Sequence, residues 1–148
     1  MTFGRFQQHV AQAQARSAWQ FEGKRDAPLS VDRLRDIERE HGVELPDDYR
    51  RFLSLYGAGE FAFTAIYSLD PKSDWSLWRN IERFLGGRRD FIPFADNGCG
   101  DYYGFRVVKG RCENRVLWAD HEQDYSVSES EHGGFLDYMV REGLRAEA

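Results

Sequence analysis

Asp96, Asp101, Asp120, His121 and Glu122 are the residues of this 148-residue chain whose types could do chemistry together. Carboxylates with an imidazole are the donor set of a divalent-metal site, or of a general acid–base pair, if the fold brings them within reach. Asp96 and Asp101 bound an Asp-Asn-Gly-Cys-Gly-Asp turn, and Asp120-His121-Glu122 follow a later strand. Convergence therefore requires that strand to end beside that turn. The same residues have a plainer use: Asp and Asn in turns accept hydrogen bonds from local backbone N–H groups. A lone histidine after a strand is usually solvated. The plainer use is favoured, because no Gly-x-Ser-x-Gly, His-Glu-x-x-His or Gly-x-x-x-x-Gly-Lys-[Ser/Thr] pattern accompanies them. Cys99 lies between glycines with no identifiable base, which argues against a nucleophile. Gly98 and Gly100 could cradle an anion, but Asp96 and Asp101 would repel one. His9, His41 and His132 are scattered without ligand spacing. No catalytic residue, metal or cofactor is expected.

Charge narrows the partner instead. The chain carries a formal −5, unevenly spread. Residues 1–25 hold four basic residues and one acid, whereas residues 96–148 hold six basic and eleven acidic ones. Asp120 to Glu131 has five acids and no Lys or Arg. Nucleic acid is thereby excluded as the expected ligand, since phosphate binding needs clustered cations. A basic protein partner would suit the patch, and a solvated acidic loop is the bland alternative. Trp75 and Trp78, three apart on an expected helix, offer a second binding feature. Leu77 and Ile81 already fill that helix's apolar stripe, so one tryptophan could remain outside as an anchor; otherwise both pack against the sheet.

The elements that must position these residues are readable from spacing. Eleven Phe, seven Tyr and four Trp supply core for one domain over residues 1–148, which needs neither metal nor disulfide at this length. Phe3, Phe6, Val10, Ala13 and Ser17 predict an N-terminal helix over about 3–18, followed by Trp19-Gln20-Phe21 as an anchor. Ser30 reads as an N-cap for a helix with Val31, Leu34 and Ile37 on one face, ended by Gly42. A second helix starts at Leu45-Pro46-Asp47-Asp48 with Tyr49, Phe52, Leu53 and Tyr56 as its stripe. Phe61 to Leu69 predicts one or two short strands. Asp74 to Leu85 predicts a helix facing inward through Leu77, Trp78, Ile81, Phe84 and Leu85. Phe91 to Ala95 is a strand whose Pro93 implies an edge or a strand end.

Tyr102–Val108 and Arg115–Ala119 form an expected hairpin across Lys109–Asn114. Setting Val108 opposite Arg115 pairs Phe105 with Trp118 and puts Tyr103, Phe105, Val107, Val116 and Trp118 on the core face. Cys112 then lies at the tip, on the order of 20 Å from Cys99 at about 3.3 Å per residue, too far for a disulfide. Tyr125-Ser126-Val127 is a last strand. Phe135, Leu136, Met139 and Val140 define a final helix ending near Gly143. This order lacks regular βαβα alternation, so the expected class is α+β, a single domain with a mainly antiparallel central sheet backed by helices. No apolar run approaches the roughly 20 residues of a membrane span. The first residues lack a signal peptide's apolar core, so a cytoplasmic location is expected.

The order of motifs resembles one family. Leu45-Pro46-Asp47-Asp48-Tyr49-Arg50-Arg51-Phe52-Leu53 with Tyr56-Gly57 is similar to the Leu-Pro-x-x-Tyr-x-x-Phe-Leu helix of the SUKH superfamily. That group includes the Smi/Knr-like regulators of cell-wall assembly. Phe91 to Tyr102 resembles its Pro-Phe-Ala-x-x-Gly-x-Gly-[Asp/Asn]-x-Tyr segment, and Val116 to Glu122 its strand with the Trp-x-x-His-Glu ending. Phe135 to Met139 resembles its terminal helix. The resemblance covers about residues 30–143, and Gly104-Phe105 departs from the pattern, where relatives often carry Asp or Asn.

The resemblance implies a non-catalytic binding domain. Bacterial members are mainly immunity proteins that neutralise polymorphic toxins, nucleases among them. The expectation is a cytoplasmic immunity protein for a cognate toxin domain, possibly a basic nuclease, acting as a monomer or weak homodimer with no membrane or nucleic-acid partner. Its expected binding residues are Asp96, Asp101, Asp120 and Glu122, with Trp75 or Trp78. An interaction or regulatory module of the Smi/Knr-like type is the runner-up, and a metal-dependent hydrolase a distant third.

Overall fold

Ser30 opens a helix as its sequence suggests, its hydroxyl accepting the Arg33 N–H at 3.1 Å. In the computed structural model, which describes residues 1–146, that helix is α2 (Val31–His41), closed by Gly42 at φ +65°. Helix α1 (Phe3–Arg16) precedes it and α3 (Asp47–Leu55) follows. α2 buries Leu34, Ile37 and Glu38. Val31, expected on the same face, sits in the first turn beyond the packed segment and is exposed. α3 buries Tyr49, Phe52 and Leu53, and Arg50 with them. Glu38 accepts Arg50 Nη1 at 3.0 Å and the Leu45 N–H at 2.7 Å. A carboxylate on an otherwise apolar face thus latches the two helices together.

The aromatic residues make the core. The Tyr49 ring lies 5.3 Å from Phe135 and 5.7 Å from Phe105, and Phe94 packs edge-on against Phe135 at 5.1 Å. Phe6 of α1 joins through Phe52 and Tyr56. Each buried ring removes on the order of 150–250 Å² from water, and edge-to-face pairs add specificity to that burial. The cluster is continuous from Phe3 to Leu144.

α1 stops at Arg16, two residues short of the expected end, because Ser17 turns to φ −152°. A single 3-10 turn, Ala18–Phe21, follows. Trp19 was expected to anchor this segment but is 66% exposed. Phe21 does so instead, edge-on to Phe61 at 5.3 Å.

Strands β1 (Gly59–Phe61) and β2 (Thr64–Ile66) form a small antiparallel hairpin. The next helix, α4 (Leu77–Phe84), starts later than expected, with the Ser76 hydroxyl as its cap. Trp75 therefore lies before the helix, and Phe84 points outward, 51% exposed; Leu77, Ile81 and Leu85 carry the buried stripe.

The main sheet is antiparallel, in the order β3-β4-β6-β7 with β5 also on β4, as the α+β reading requires. β3 (Phe91–Asp96) is its edge, and the register slips between Pro93 and Ala95. Proline cannot donate to a ladder, so an edge with a bulge is where it fits. The Phe94 carbonyl beyond it accepts the Tyr67 N–H at 2.8 Å, which ties the small hairpin to the sheet.

The hairpin register differs from the expected one. β4 (Tyr102–Val108) turns tightly at Lys109-Gly110, both at positive φ, into β5 (Arg111–Cys112), with Val108 opposite Arg111. This is the geometry of a two-residue primed turn. β6 (Leu117–Asp120) then pairs Trp118 with Tyr103, two positions from the expected partner Phe105. Cys112 is consequently inside the ladder, opposite Val107, rather than at a tip. Burial beside Glu38 pushes its thiol up to about 12. Both cysteines are free.

β7 (Ser126–Glu129) begins one residue late because Asp124 and Tyr125 both take positive φ. The final helical segment comprises α5 (Phe135–Tyr138) and a wider π-type turn over Met139–Gly143.

Candidate functional site

The Asp96–Asp101 turn is held by its own side chains. Asp96 Oδ1 accepts the Gly98 N–H at 2.8 Å, and Asn97 Oδ1 accepts those of Cys99 and Asp101 at 2.9 and 3.1 Å. Gly100 stands at φ +105°, and a Cβ there would meet His121 Cγ at 3.1 Å. The glycine is what lets the imidazole approach the turn.

Pairing of Tyr102 with Ala119 brings the end of β6 beside this turn. Asp101 Oδ1 lies 2.5 Å from His121 Nδ1 and accepts the His121 backbone N–H at 2.9 Å. Asn97 Nδ2 donates to Asp101 Oδ2 at 2.9 Å. Asp120 caps a 3-10 turn, His121–Gln123, by accepting the Glu122 N–H at 3.0 Å. The convergence read from spacing is therefore real for three residues: donor atoms of Asp101, Asp120 and His121 lie within 4.8 Å of one another. Asp96 points elsewhere, its other carboxylate oxygen accepting from the Tyr67 hydroxyl. Glu122 is exposed.

Electrostatics follow from these contacts. Burial would raise the Asp101 carboxyl, but hydrogen bonds from the His121 ring and backbone, Trp118 and Asn97 outweigh it and hold it below its ordinary value. The hydrogen bond to Asp101, with the charges of Asp101, Glu122 and Asp120, raises His121. The pair is a carboxylate-clamped imidazole. At 2.5 Å the two atoms bond directly, too close for a metal to bridge them, and the exposed Cys99 thiol takes no part in these hydrogen bonds.

Next to this turn opens a cleft of about 630 Å³, reached by Asp96 and Asn97 and lined by Trp19, Phe63, Tyr103 and Tyr138. Trp19 and Phe63 are its exposed apolar members. Of the predicted binding carboxylates Asp96 lines this cleft, while Asp120 and Glu122 sit at the 3-10 turn beyond the Asp101–His121 pair. Trp75 and Trp78 lie outside it. Trp78 stacks on His41 at 3.8 Å, donates Nε1–H to the Leu69 carbonyl at 2.7 Å and lines a different cleft, with Arg88. Trp75 is half-buried beside Gly59.

Two residues escaped the sequence reading. Trp19 looked like core because it follows an amphipathic helix; the turn at Ser17 was the missing signal. His132 looked isolated, yet its buried ring sits beside Glu131 and Glu142, with Nε2 at 3.7 and 3.3 Å from their carboxylates. Glu142 is ten positions away and reaches the ring only through the final helical turn.

No helix among the described residues is long and apolar enough to cross a membrane. The family model described as SMI1-KNR4 cell-wall (SUKH_6) matches residues 32–138. No curated protein matches the chain. The matched span holds α2 through α5 and leaves out α1, Trp19 and Glu142.

Proposed function

The chain belongs to the SMI1-KNR4 (SUKH) family, and from that premise we propose that it is an immunity protein, binding and neutralising a cognate toxin domain without catalysis. The observation that carries this reading is the family match across the sheet and the helical hairpin. The exposed carboxylates of the Asp96 turn and of the turn after β6 give it a direction. Asp96, Asp120 and Glu122 would meet a basic toxin surface, steering its approach and disfavouring acidic partners. Asp101 acts through His121, which it fixes, and so positions the rim. Trp19 takes the anchoring part that Trp75 and Trp78, both packed into the protein, are less free to play. A cytoplasmic chain of this kind would cover the toxin's active site or its substrate path.

The test has two parts: whether a toxin gene lies beside this chain's gene, and whether co-expression of the chain relieves that toxin's lethality. The intact chain should rescue growth, and Asp120→Lys with Glu122→Lys should weaken binding while the circular dichroism spectrum stays the same. Unchanged affinity would remove the acidic rim from the interface, and absence of rescue would remove the toxin reading. The cell-wall term in the family description favours a second reading, a regulatory interaction module. It would capture host proteins and give no rescue.

A further inference from the structure

His132 is 2% exposed, and neither ring nitrogen has a hydrogen-bond partner. A buried imidazole is normally satisfied by a protein group or water. Here Nε2 lies beside two carboxylates, Glu142 Oε1 at 3.3 Å and Glu131 Oε1 at 3.7 Å. Donor atoms of the three residues lie within 4.8 Å of one another. We infer that Glu131, His132 and Glu142 form a binding site for a first-row transition dication such as Zn²⁺.

Three observations support the assignment. The first is spacing. In a tetrahedral zinc site with bonds of about 2.0–2.2 Å, neighbouring ligand atoms stand roughly 3.3–3.6 Å apart; Glu142 Oε1 has that separation from His132 Nε2, and Glu131 Oε1, at 3.7 Å, is slightly wider. The Asp101–His121 pair, bonded at 2.5 Å, lacks that room. The second is rigidity. The His132 ring is held edge-on by Tyr138 at 5.3 Å and Tyr103 at 5.7 Å, so its place beside the carboxylates is set before any ion arrives. The third is the backbone carrying Glu142. Its turn is widened, with the Leu144 N–H bonding to the Met139 carbonyl at 2.8 Å, and such π-type turns recur at functional sites.

A nitrogen donor with two carboxylates selects zinc or its neighbours over Ca²⁺ and Mg²⁺, which prefer all-oxygen shells. Three protein ligands leave a fourth position open. Because Glu142 also lines the cleft beside Tyr103 and Tyr138, the ion would lie at the cleft's edge and offset its acidity.

The experiment is calorimetric titration of ZnCl₂ into the full chain after chelator treatment, and needs no toxin. One Zn²⁺ per chain is expected, with affinity falling about tenfold or more in Glu131→Gln and in Glu142→Gln. His121→Gln should leave zinc affinity within about twofold, a control chosen because Zn²⁺ favours His and carboxylate donors of either cluster. In the unaltered protein the His132 Nε2 NMR signal should shift on zinc addition, a readout independent of whether any variant folds. No binding, binding unaffected by both glutamine variants, or an unmoved His132 signal would overturn the site.

Discussion

Glu38 of α2 and Arg50 of α3 form a buried ion pair at 3.0 Å, with side chains only 5% and 11% exposed. The arginine also bonds the Leu45 carbonyl and reaches Asp47 at 3.2 Å, and the glutamate holds the Leu45 N–H. One latch thus fixes both the angle of the helical hairpin and the loop that joins its helices.

Breaking that latch from one side leaves a charge in the interior. Arg50→Met should destabilise the protein by about 3–5 kcal/mol in urea unfolding, and Glu38→Leu combined with it should recover much of the loss. A double variant no more stable than Arg50→Met would show that the pair is not coupled.

The Asp101–His121 clamp makes stability depend on pH in both directions. Asp101 is depressed in the folded protein, so its contribution is complete above 3.8 and is lost as pH falls through its lower folded value. His121 is raised, so its contribution is complete below 6.5 and is lost as pH rises through its higher folded value. The stability difference between the protein and Asp101→Asn should therefore be greatest between those two values. Urea midpoints across pH measure it, and the NMR titration of His121 should move down in the variant.

Gly104 is dictated by close approach. A Cβ there would strike the Ile92 carbonyl oxygen and meet the Phe91 ring at 2.6 Å. Gly104→Ala should cost about 1–3 kcal/mol or more, since neither backbone nor buried ring can yield. Thermal unfolding of the variant tests this, and a melting temperature equal to the parent's would contradict it.

Trp19 and Phe52 should separate binding from folding. Trp19→Ala removes a side chain largely in solvent and should change stability by no more than about 0.5 kcal/mol, while weakening partner binding if the cleft is the docking site. Phe52→Ala, at 0% exposure, should cost about 3–5 kcal/mol. Chemical denaturation of the two variants beside a binding titration distinguishes these effects.

The legible parts of the chain were those decided within a few residues. Ser30, Gly42 and the Asp96–Gly100 turn act through neighbouring backbone groups, so their types and spacing are sufficient. The edge position of Pro93 follows from its missing N–H. The ordered motifs from Leu45 to Met139 carried the family, the order of helices and strands carried the α+β class, and convergence of Asp101, Asp120 and His121 was visible once one turn and one strand were set side by side.

Other features depended on contacts distant in sequence. A two-residue shift between β4 and β6 leaves every side chain on the same face, so the hydrophobic pattern could not reveal it; only the Lys109-Gly110 turn distinguishes the registers. Trp19 left the core because Ser17 ended α1, and Phe21 then reached Phe61 from β1. Glu142 met His132 because the final helical turn docked against β4 through Tyr138 and Tyr103. Hydrophobic period and local caps determined which elements exist and which faces they bury. Long-range pairing decided which carboxylates share a space, because that distance is a property of the packed elements and not of the residues between them.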